Sequence, residues 1–371
     1  MSSHPQPVPE SAPAAAGTTY AAAGVDTAAG DRAVELMRAS VAATMTPAVV
    51  GEVGGFAGLV DVSALRDYRR PLLATSTDGV GTKVAIAQAL GVHDTIGQDL
   101  VGMVVDDIVV VGARPLLMTD YIACGRVVPE RIADIVRGVA TACAAVGTPL
   151  LGGETAEHPG LMEADEYDLA GAATGVVEAD RVLGPERVRP GDVLIALASS
   201  GLHSNGYSLV RRVIADAGWG LERQVPELGR TLGEELLEPT RLYTKACLAM
   251  IGALGSEAAP SPIHALSHVT GGGLAANLAR VLPAGTIADV DRSGWVIPPV
   301  FDLVRHLGSV PWEDLEGTLN LGVGMVAVVA PDSAEAVLRV AQGSEMSAWV
   351  LGGVHEAQVY EPQGRVVAGT K

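Results

Sequence analysis

The segment at residues 77–83, TDGVGTK, places a carboxylate, two hydroxyl groups, two glycines and an ammonium group within seven residues. Asp78 supplies oxygen ligands for Mg²⁺, while the glycine backbone and Lys83 supply N–H groups and a positive charge for a phosphate chain. A Walker A loop has a different spacing, with four residues between its glycines and a lysine before Ser or Thr. The segment therefore predicts a site for a metal-bound polyphosphate in another fold. The alternative is a simple Asp-Gly turn followed by a solvated Lys83.

Two adjacent carboxylates, Asp106 and Asp107, interrupt the apolar stretch VGMVVDDIVVVGA. Burying unpaired carboxylates is costly, so either the helix has a solvated edge or the pair holds a cation. Asp99 lies seven residues before Asp106 and therefore shares a face of the predicted helix with it. Because the helix is otherwise too apolar to offer a solvated face, we favour metal coordination by this pair.

Three further glycine-rich segments follow predicted strands. Residues 152–157, GGETAE, are compatible with a phosphate or ribose loop and also with a capped Gly-Gly turn. Residues 199–208, SSGLHSNGYS, combine glycines with small hydroxyl residues before a helix. This favours an anion site, although Ser204 or Asn205 as an ordinary helix cap is the alternative. Residues 268–273, HVTGGG, let the backbone approach a ligand closely.

The elements that must position these groups follow from hydrophobic periodicity and turn residues. Strands are predicted at residues 72–75, 115–123, 150–154, 167–177, 193–198, 263–267, 322–329 and 348–354. Helices are predicted at residues 30–43, 95–112, 130–146, 204–217, 240–253, 274–281 and 333–341. A Pro- and Gly-rich stretch at 178–192 indicates a linker. It divides the chain into a disordered tail (1–19), an N-terminal domain (20–180) and a C-terminal domain (181–371), whose alternating strands and helices predict an α/β fold.

The composition limits the classes of partner. The chain has 371 residues with 25 basic and 43 acidic side chains, and its net charge of −18 disfavours nucleic acid or an anionic membrane as the main partner. An anionic ligand must therefore be held by local devices such as helix N-termini, glycine-rich loops and Mg²⁺. The three cysteines are widely spaced, which fits a reducing cytoplasm, and no apolar run is long enough to span a membrane.

Taken together and in order, several segments closely resemble the phosphoribosylformylglycinamidine cyclo-ligase (aminoimidazole ribonucleotide synthetase) family of purine biosynthesis. They are TDGVGTK, HDTIGQDLVGMVVDDIVV, GARPLLMTDYIACG, LLGGETAEHPG, SSGLHSNGYSLVRR, LLEPTRLY, SHVTGGGLAANLARVLP and NLGVGMVAVV. The resemblance implies a homodimer, in which α+β N-terminal domains join into a β-barrel and α/β C-terminal domains follow. It also implies conversion of formylglycinamidine ribonucleotide and ATP to aminoimidazole ribonucleotide, ADP and phosphate through an iminophosphate.

The resemblance also implies roles for individual residues. Mg²⁺ is expected at Asp78 and Asp107, with Asp26 as a further ligand and Asp106 standing where Asn is usual. ATP is expected at Asp78, Gly79, Val80, Gly81, Thr82, Lys83, Gly152, Gly153 and Glu154. The ribonucleotide is expected at Ser200, Gly201, His203, Ser204, Asn205, Gly206, Thr270, Gly271, Gly272 and Gly273. Catalytic roles are expected for His203, His268 and Lys83, with neither histidine singled out as the general base.

The chain departs from the family pattern near its start. Many relatives carry a Lys and a second acidic residue where this chain has Ala21 and Ala28. Two alternatives to the cyclo-ligase remain, and the altered start favours only the second of them. One is another ATP-using enzyme of the same superfamily, such as a selenophosphate synthetase or a thiamine-phosphate kinase, and the other is a non-catalytic paralogue that binds nucleotide.

Overall fold

The N-terminal half of the computed structural model is a four-stranded sheet with helices on one face. The strands are β3 (Pro71–Gly79), β4 (Arg114–Cys124), β5 (Leu150–Glu157) and β6 (Tyr167–Glu178), in the order β3-β6-β4-β5. The helices are α1 (Thr27–Ala42), α2 (Val84–Leu90), α3 (Ile96–Val109) and α4 (Pro129–Val146), and a short pair of strands, β1 (Val49–Val50) and β2 (Leu59–Val60), precedes the sheet. The structure describes residues 24–51, 54–255, 261–357 and 365–368, so the predicted tail and Ala21 lie outside it.

The two faces of this sheet differ. Ser76 of β3, Ala173 of β6 and Met118 of β4 are neighbours across the sheet on the face that α3 and α4 cover, and Met118 and Ala173 are buried. Residues that are one position away along each strand, such as Thr77 and Thr119, are exposed. One face of the sheet is therefore packed against helices, and in a single chain the other face is open.

The C-terminal half contains a six-stranded sheet. Its strands are β7 (Val193–Ala198), β10 (Ile263–His268), β11 (Thr286–Val290), β12 (Val323–Val329), β13 (Ala348–Glu356) and β14 (Arg365–Ala368), in the order β10-β12-β7-β13-β11-β14. All pairs are antiparallel except β11–β14. Strands and helices alternate along the chain as predicted, but the sheet lacks the mostly parallel pairing of α/β folds.

Helices and a small second sheet complete this half. The helices are α5 (Tyr207–Asp216), α6 (Leu232–Leu236), α7 (Thr244–Leu254), α8 (Gly273–Ala279), α9 (Pro299–Gly308), α10 (Trp312–Glu316) and α11 (Ala334–Gly343). The small sheet pairs β8 (Gln224–Val225) with β9 (Arg230–Thr231). The central strand β12 is buried along its whole length, which its continuous apolar sequence explains.

One predicted turn is wrong. Gly152 and Gly153 do not leave the sheet but lie inside β5, which continues to Glu157. Gly153 is opposite Asp120 of β4, and a side chain at Gly153 would overlap the Asp120 carboxyl group. The glycine therefore makes room for a neighbouring carboxylate, a requirement that the sequence of β5 alone does not reveal.

Candidate active site

The TDGVGTK loop lies where the two domains meet. Strand β3 ends at Gly79, and a short 3₁₀ turn at Gly81–Lys83 leads directly into α2. The Ser204 hydroxyl donates a hydrogen bond of 2.7 Å to the carbonyl oxygen of Val80. Two loops that the sequence separates by more than 100 residues therefore form one structure.

Lys83 does not present its ammonium group to a ligand. Its side chain is completely buried, and Nζ donates hydrogen bonds to Asp99 Oδ1 at 2.8 Å and to the carbonyl oxygens of His203 at 3.0 Å and Glu238 at 2.6 Å. Burial lowers the pKa of Lys83 and raises that of Asp99, and their attraction opposes both shifts. The expected phosphate contact and catalytic role of Lys83 are therefore corrected: the residue connects the two domains.

Asp99 and Asp106 both face residues 240–244, the segment that leads into α7. They therefore lie on one face of α3, as their spacing of seven residues predicted. Asp99 accepts hydrogen bonds from the Thr240 backbone and hydroxyl. Asp106 accepts from the Tyr243 backbone through both of its oxygens and from the Thr244 hydroxyl at 2.7 Å. Asp106 is fully buried, so the structure uses both of its oxygens to hold α7 rather than to bind a metal ion, which corrects that expectation.

Asp107 points the other way and meets His268. Its Oδ1 lies 2.9 Å from His268 Nδ1, and because a carboxylate only accepts hydrogen bonds, Nδ1 carries the proton. His268 Nε2 is buried and has no partner among the described residues. The pair thus holds one imidazole nitrogen ready to accept a proton or a hydrogen bond.

Asp78 belongs to the same cluster. Burial raises its pKa, repulsion from Asp107 adds to this shift, and the Gly79 N–H, which donates to Asp78 Oδ1 at 2.7 Å, opposes it. Two carboxylates that repel each other in a partly buried site form a natural position for a cation. The structure therefore brings Asp78, Asp107 and His268 together from β3, α3 and β10.

His203 has the opposite hydrogen-bonding character to His268. The Ser200 N–H donates to His203 Nε2 at 3.1 Å, so the neutral ring carries its proton on Nδ1, which is buried and has no partner among the described residues. Burial lowers its pKa well below the ordinary value, and electrostatic interaction with His268, Lys83 and Arg241 adds to this shift. His203 is thus a hydrogen-bond donor with a left-handed backbone, φ 61°.

Tyr243 stands between the two histidines, and the sequence did not point to it. Its ring centroid lies 6.0 Å from that of His203 and 6.2 Å from that of His268, and its hydroxyl donates to the Ala198 carbonyl oxygen. Gly324 of β12 lies against this group, and a side chain there would overlap the Tyr243 hydroxyl and approach the His203 ring. The only sequence signal for Tyr243 is its place in LLEPTRLY.

The two later glycine loops meet, but their glycines differ in role. Asn205 lies beside Gly271, which is exposed, and Thr270 donates to Asn277. Gly273 has φ 70°, and a side chain there would overlap the Glu316 carbonyl oxygen, so it is a structural requirement. Of the residues expected to bind the ribonucleotide, Ser200, Asn205, Gly206, Thr270, Gly271 and Gly272 remain accessible, while Gly201, His203, Ser204 and Gly273 are buried.

Asp120 extends the site across the N-terminal sheet. Asp78, Gly171, Asp120 and Gly153 are direct neighbours on successive strands, which places them in one row. Burial raises the pKa of Asp120 to about 7, and its Oδ2 has no partner among the described residues. With adjacent strands about 4.8 Å apart, Asp120 is two strands, or about 10 Å, from Asp78.

A cavity of about 720 Å³ opens at the end of this row. Its wall combines apolar side chains of α1, including Val34, with the polar residues Asp120, Gly152, Gly153 and Glu154. A smaller cavity of about 360 Å³ contains Asp107, His268 and Arg280. The two cavities share no lining residue.

Asp26 is not part of the acidic row. Its Oδ1 accepts hydrogen bonds from Ala28 and Ala29 and caps α1, and its backbone N–H donates to Glu157. In the part of the chain that the structure describes, no three His, Cys, Asp or Glu side chains are arranged to hold a metal ion by themselves. Mg²⁺ commonly uses one or two carboxylates and takes its other ligands from water and phosphates, so the pair Asp78 and Asp107 still fits this ion.

Comparison with known proteins identifies the family. The family model described as AIR synthase related protein, N-terminal domain, matches residues 60–177, and the corresponding C-terminal domain matches residues 189–364. A phosphoribosylformylglycinamidine cyclo-ligase of Geobacillus thermodenitrificans is 47% identical over 91% of this chain and 95% of its own length. That of Shouchella clausii is 46% identical over 94% of this chain and 98% of its own length. The chain belongs to the phosphoribosylformylglycinamidine cyclo-ligase family.

Solved structures share the fold of this cyclo-ligase family member at lower identity. Thiamine-monophosphate kinase from Stenotrophomonas maltophilia has a TM-score of 0.65 and 18% identity, covering 90% of this chain and 95% of its own. The hydrogenase maturation protein HypE in complex with ATP has a TM-score of 0.62 and 19% identity, covering 91% of each chain. In residues 24–51, 54–255, 261–357 and 365–368, no helix combines the length and apolar character needed to cross a membrane.

Proposed function

We propose that this protein converts formylglycinamidine ribonucleotide and ATP to aminoimidazole ribonucleotide, ADP and phosphate. The substrates follow from the family, whose members match nearly the whole chain. The observation that carries the proposal in the structure is the meeting of Asp78, Asp107 and His268 between the domains. This arrangement supplies what phosphoryl transfer needs, which is charge stabilisation and positioning more than covalent chemistry.

Asp78 and Asp107 would hold Mg²⁺ at this point. When bound there, the ion would offset the negative charge of the transferred phosphoryl group. The protein's own contribution is to fix both carboxylates: the Gly79 N–H holds Asp78, and His268 holds Asp107. Because the Lys83 charge is used internally, a cation at this position replaces the positive charge that the sequence had assigned to that lysine.

The two histidines divide the proton chemistry of ring closure. The amidine nitrogen that attacks the activated formyl carbon must lose a proton, and His268 Nε2 is the free acceptor. The His203 Nδ1–H is a free donor for oxygen atoms that develop negative charge when phosphate leaves. Their hydrogen-bond partners, Asp107 and the Ser200 N–H, fix these opposite characters.

ATP would place its nucleoside in the 720 Å³ cavity beside Asp120 and direct its phosphates toward Asp78. The cavity combines apolar walls with few polar groups, as small-molecule sites do. Val34 lines it and is 41% exposed, so a Val34→Trp substitution fills the cavity without disturbing the core. The KM for ATP should rise in this variant while the KM for the ribonucleotide stays unchanged; equal changes in both constants would place ATP elsewhere.

The open face of the N-terminal sheet would be covered by a second copy of the chain. Leu73 is 66% exposed on this face and Tyr121 is 41% exposed. Joining two four-stranded sheets gives the barrel dimer that the family resemblance implies. Light scattering should report a dimer for the wild-type chain and a monomer for Leu73→Glu, and a monomeric wild type at assay concentration would refute this part of the proposal.

The enzyme activity is tested by direct product formation. Purified protein is supplied with formylglycinamidine ribonucleotide, ATP and Mg²⁺, and aminoimidazole ribonucleotide and ADP are measured together. The expected result is one ADP for each imidazole formed. ADP release without the imidazole would indicate another ATP-using enzyme of this fold, and substrate binding without either product would indicate a non-catalytic nucleotide-binding protein.

A further inference from the structure

Residues 238–244, the segment that enters α7, are held from several sides. Lys83 donates to the Glu238 carbonyl oxygen, and the Ser200 hydroxyl donates to that of Pro239. The Gln98 amide donates to the Thr240 carbonyl oxygen at 2.8 Å. Asp99 and Asp106, as described above, accept the backbone N–H groups on either side of the middle of the segment. Side chains of both domains therefore fix this backbone before any ligand arrives.

Arg241 stands in the middle of this fixed segment and is not paired. Its Nε is buried, and no hydrogen bond or ion pair reaches its guanidinium group from any described residue. Several other arginines of this acidic protein pair with carboxylates, as Arg230 does with Glu235 and Glu238. A buried N–H donor without an acceptor costs free energy, and a ligand that accepts a hydrogen bond from Arg241 would remove this cost.

The surroundings of Arg241 are those of the reaction centre. Its charge acts on both His203 and Tyr243, where it contributes to the lowered pKa of His203. It is partly exposed, so a ligand can reach its side chain. A planar guanidinium with free N–H groups matches two oxygen atoms of a phosphoryl group.

We propose that Arg241 is an anion-binding residue that holds a phosphoryl group of one of the two substrates beside His203. The inference rests on the proposed function for the identity of those substrates. Two sources have this chemistry, the phosphate monoester of the ribonucleotide and the terminal phosphoryl group of ATP. The prearranged segment offers the guanidinium without any movement of the backbone, which is how enzymes position charges for a transition state.

The test compares Arg241→Met, which removes the charge, with Arg241→Lys, which keeps the charge but loses the planar pair of donors. Arg339→Ala is the control, because Arg339 forms only a surface pair with Glu335 and is 70% exposed. Titration calorimetry measures binding of ribose 5-phosphate and, separately, of a non-hydrolysable ATP analogue with Mg²⁺. Steady-state kinetics give kcat and KM for both substrates, and thermal unfolding reports the fold.

Arg241→Met should weaken one of the two probes about tenfold or more and lower kcat/KM about 100-fold or more. Arg241→Lys should recover part of this loss, and the control should match the wild type. Weaker ribose 5-phosphate binding assigns Arg241 to the ribonucleotide phosphate, and weaker analogue binding assigns it to ATP. Wild-type affinity for both probes in folded Arg241→Met overturns the proposal, whatever happens to the melting temperature. Because calorimetry needs no turnover, an inactive wild type whose Arg241→Met variant still loses a probe would refute only the proposed reaction.

Discussion

Replacing Lys83 by Met separates two explanations of the TDGVGTK loop. As a phosphate contact, Lys83 would affect ATP affinity and leave the fold intact. The structure instead shows an ammonium group with no exposed surface that bonds to Asp99 and to carbonyl oxygens of His203 and Glu238. We therefore expect Lys83→Met to destabilise the protein and to loosen the contact between the domains.

The magnitude follows from what is left behind. Removing one partner of a buried ion pair costs about 3–5 kcal/mol, because the other charge stays buried without compensation. Asp99 keeps its two hydrogen bonds from Thr240, which reduces the loss of stability. The two carbonyl oxygens lose a charged donor, which adds to it. We expect a net loss of about 4 kcal/mol in the free energy of unfolding, which is a large fraction of the total stability of a typical domain.

Urea unfolding followed by circular dichroism measures this loss, with Lys245→Met as the control because Lys245 is exposed on α7. The control should stay within about 0.5 kcal/mol of the wild type. The double variant Lys83→Met/Asp99→Leu should be less unstable than the sum of its single variants, since no unpaired charge remains. If Lys83→Met lowers the free energy of unfolding by less than about 1 kcal/mol and raises the KM for ATP, the structural role is refuted and Lys83 is a phosphate contact.

Other predictions follow from single contacts. The raised pKa of Asp120, about 7, means that the folded state keeps a proton that the unfolded state has lost. The free energy of unfolding should therefore fall by up to about 4 kcal/mol as the pH rises from about 4 to about 7. Asp120→Asn should flatten this pH dependence in thermal unfolding. Gly324→Ala should lower kcat strongly by displacing the histidines, with about 1–3 kcal/mol of destabilisation in urea, and unchanged kcat would show that the cluster tolerates the methyl group. Asp78→Asn and Asp107→Asn should each reduce turnover strongly with the fold intact, and near-wild-type rates across a Mg²⁺ titration would rule out the metal assignment.

Local sequence predicted most elements because hydrophobic periodicity and turn residues act over short distances. The strand predicted at 193–198 is confirmed without change, and the helix predicted at 95–112 is α3 with shorter ends. The Gly152-Gly153 turn was wrong because its explanation, Asp120, lies on another strand. Antiparallel pairing in the C-terminal sheet was also not predictable, since strand direction depends on how distant segments meet.

For this protein the sequence alone determined which groups are present and in what order. That was enough for the family, the glycine loops and the acidic pair at Asp106 and Asp107. Only the tertiary structure decided how each charge is used. Asp106 is consumed in holding α7 and Asp107 faces His268, although the two are adjacent in the chain. Adjacent residues on a helix point in different directions, so their partners come from segments more than 130 residues away, and no local pattern records which one meets a ligand.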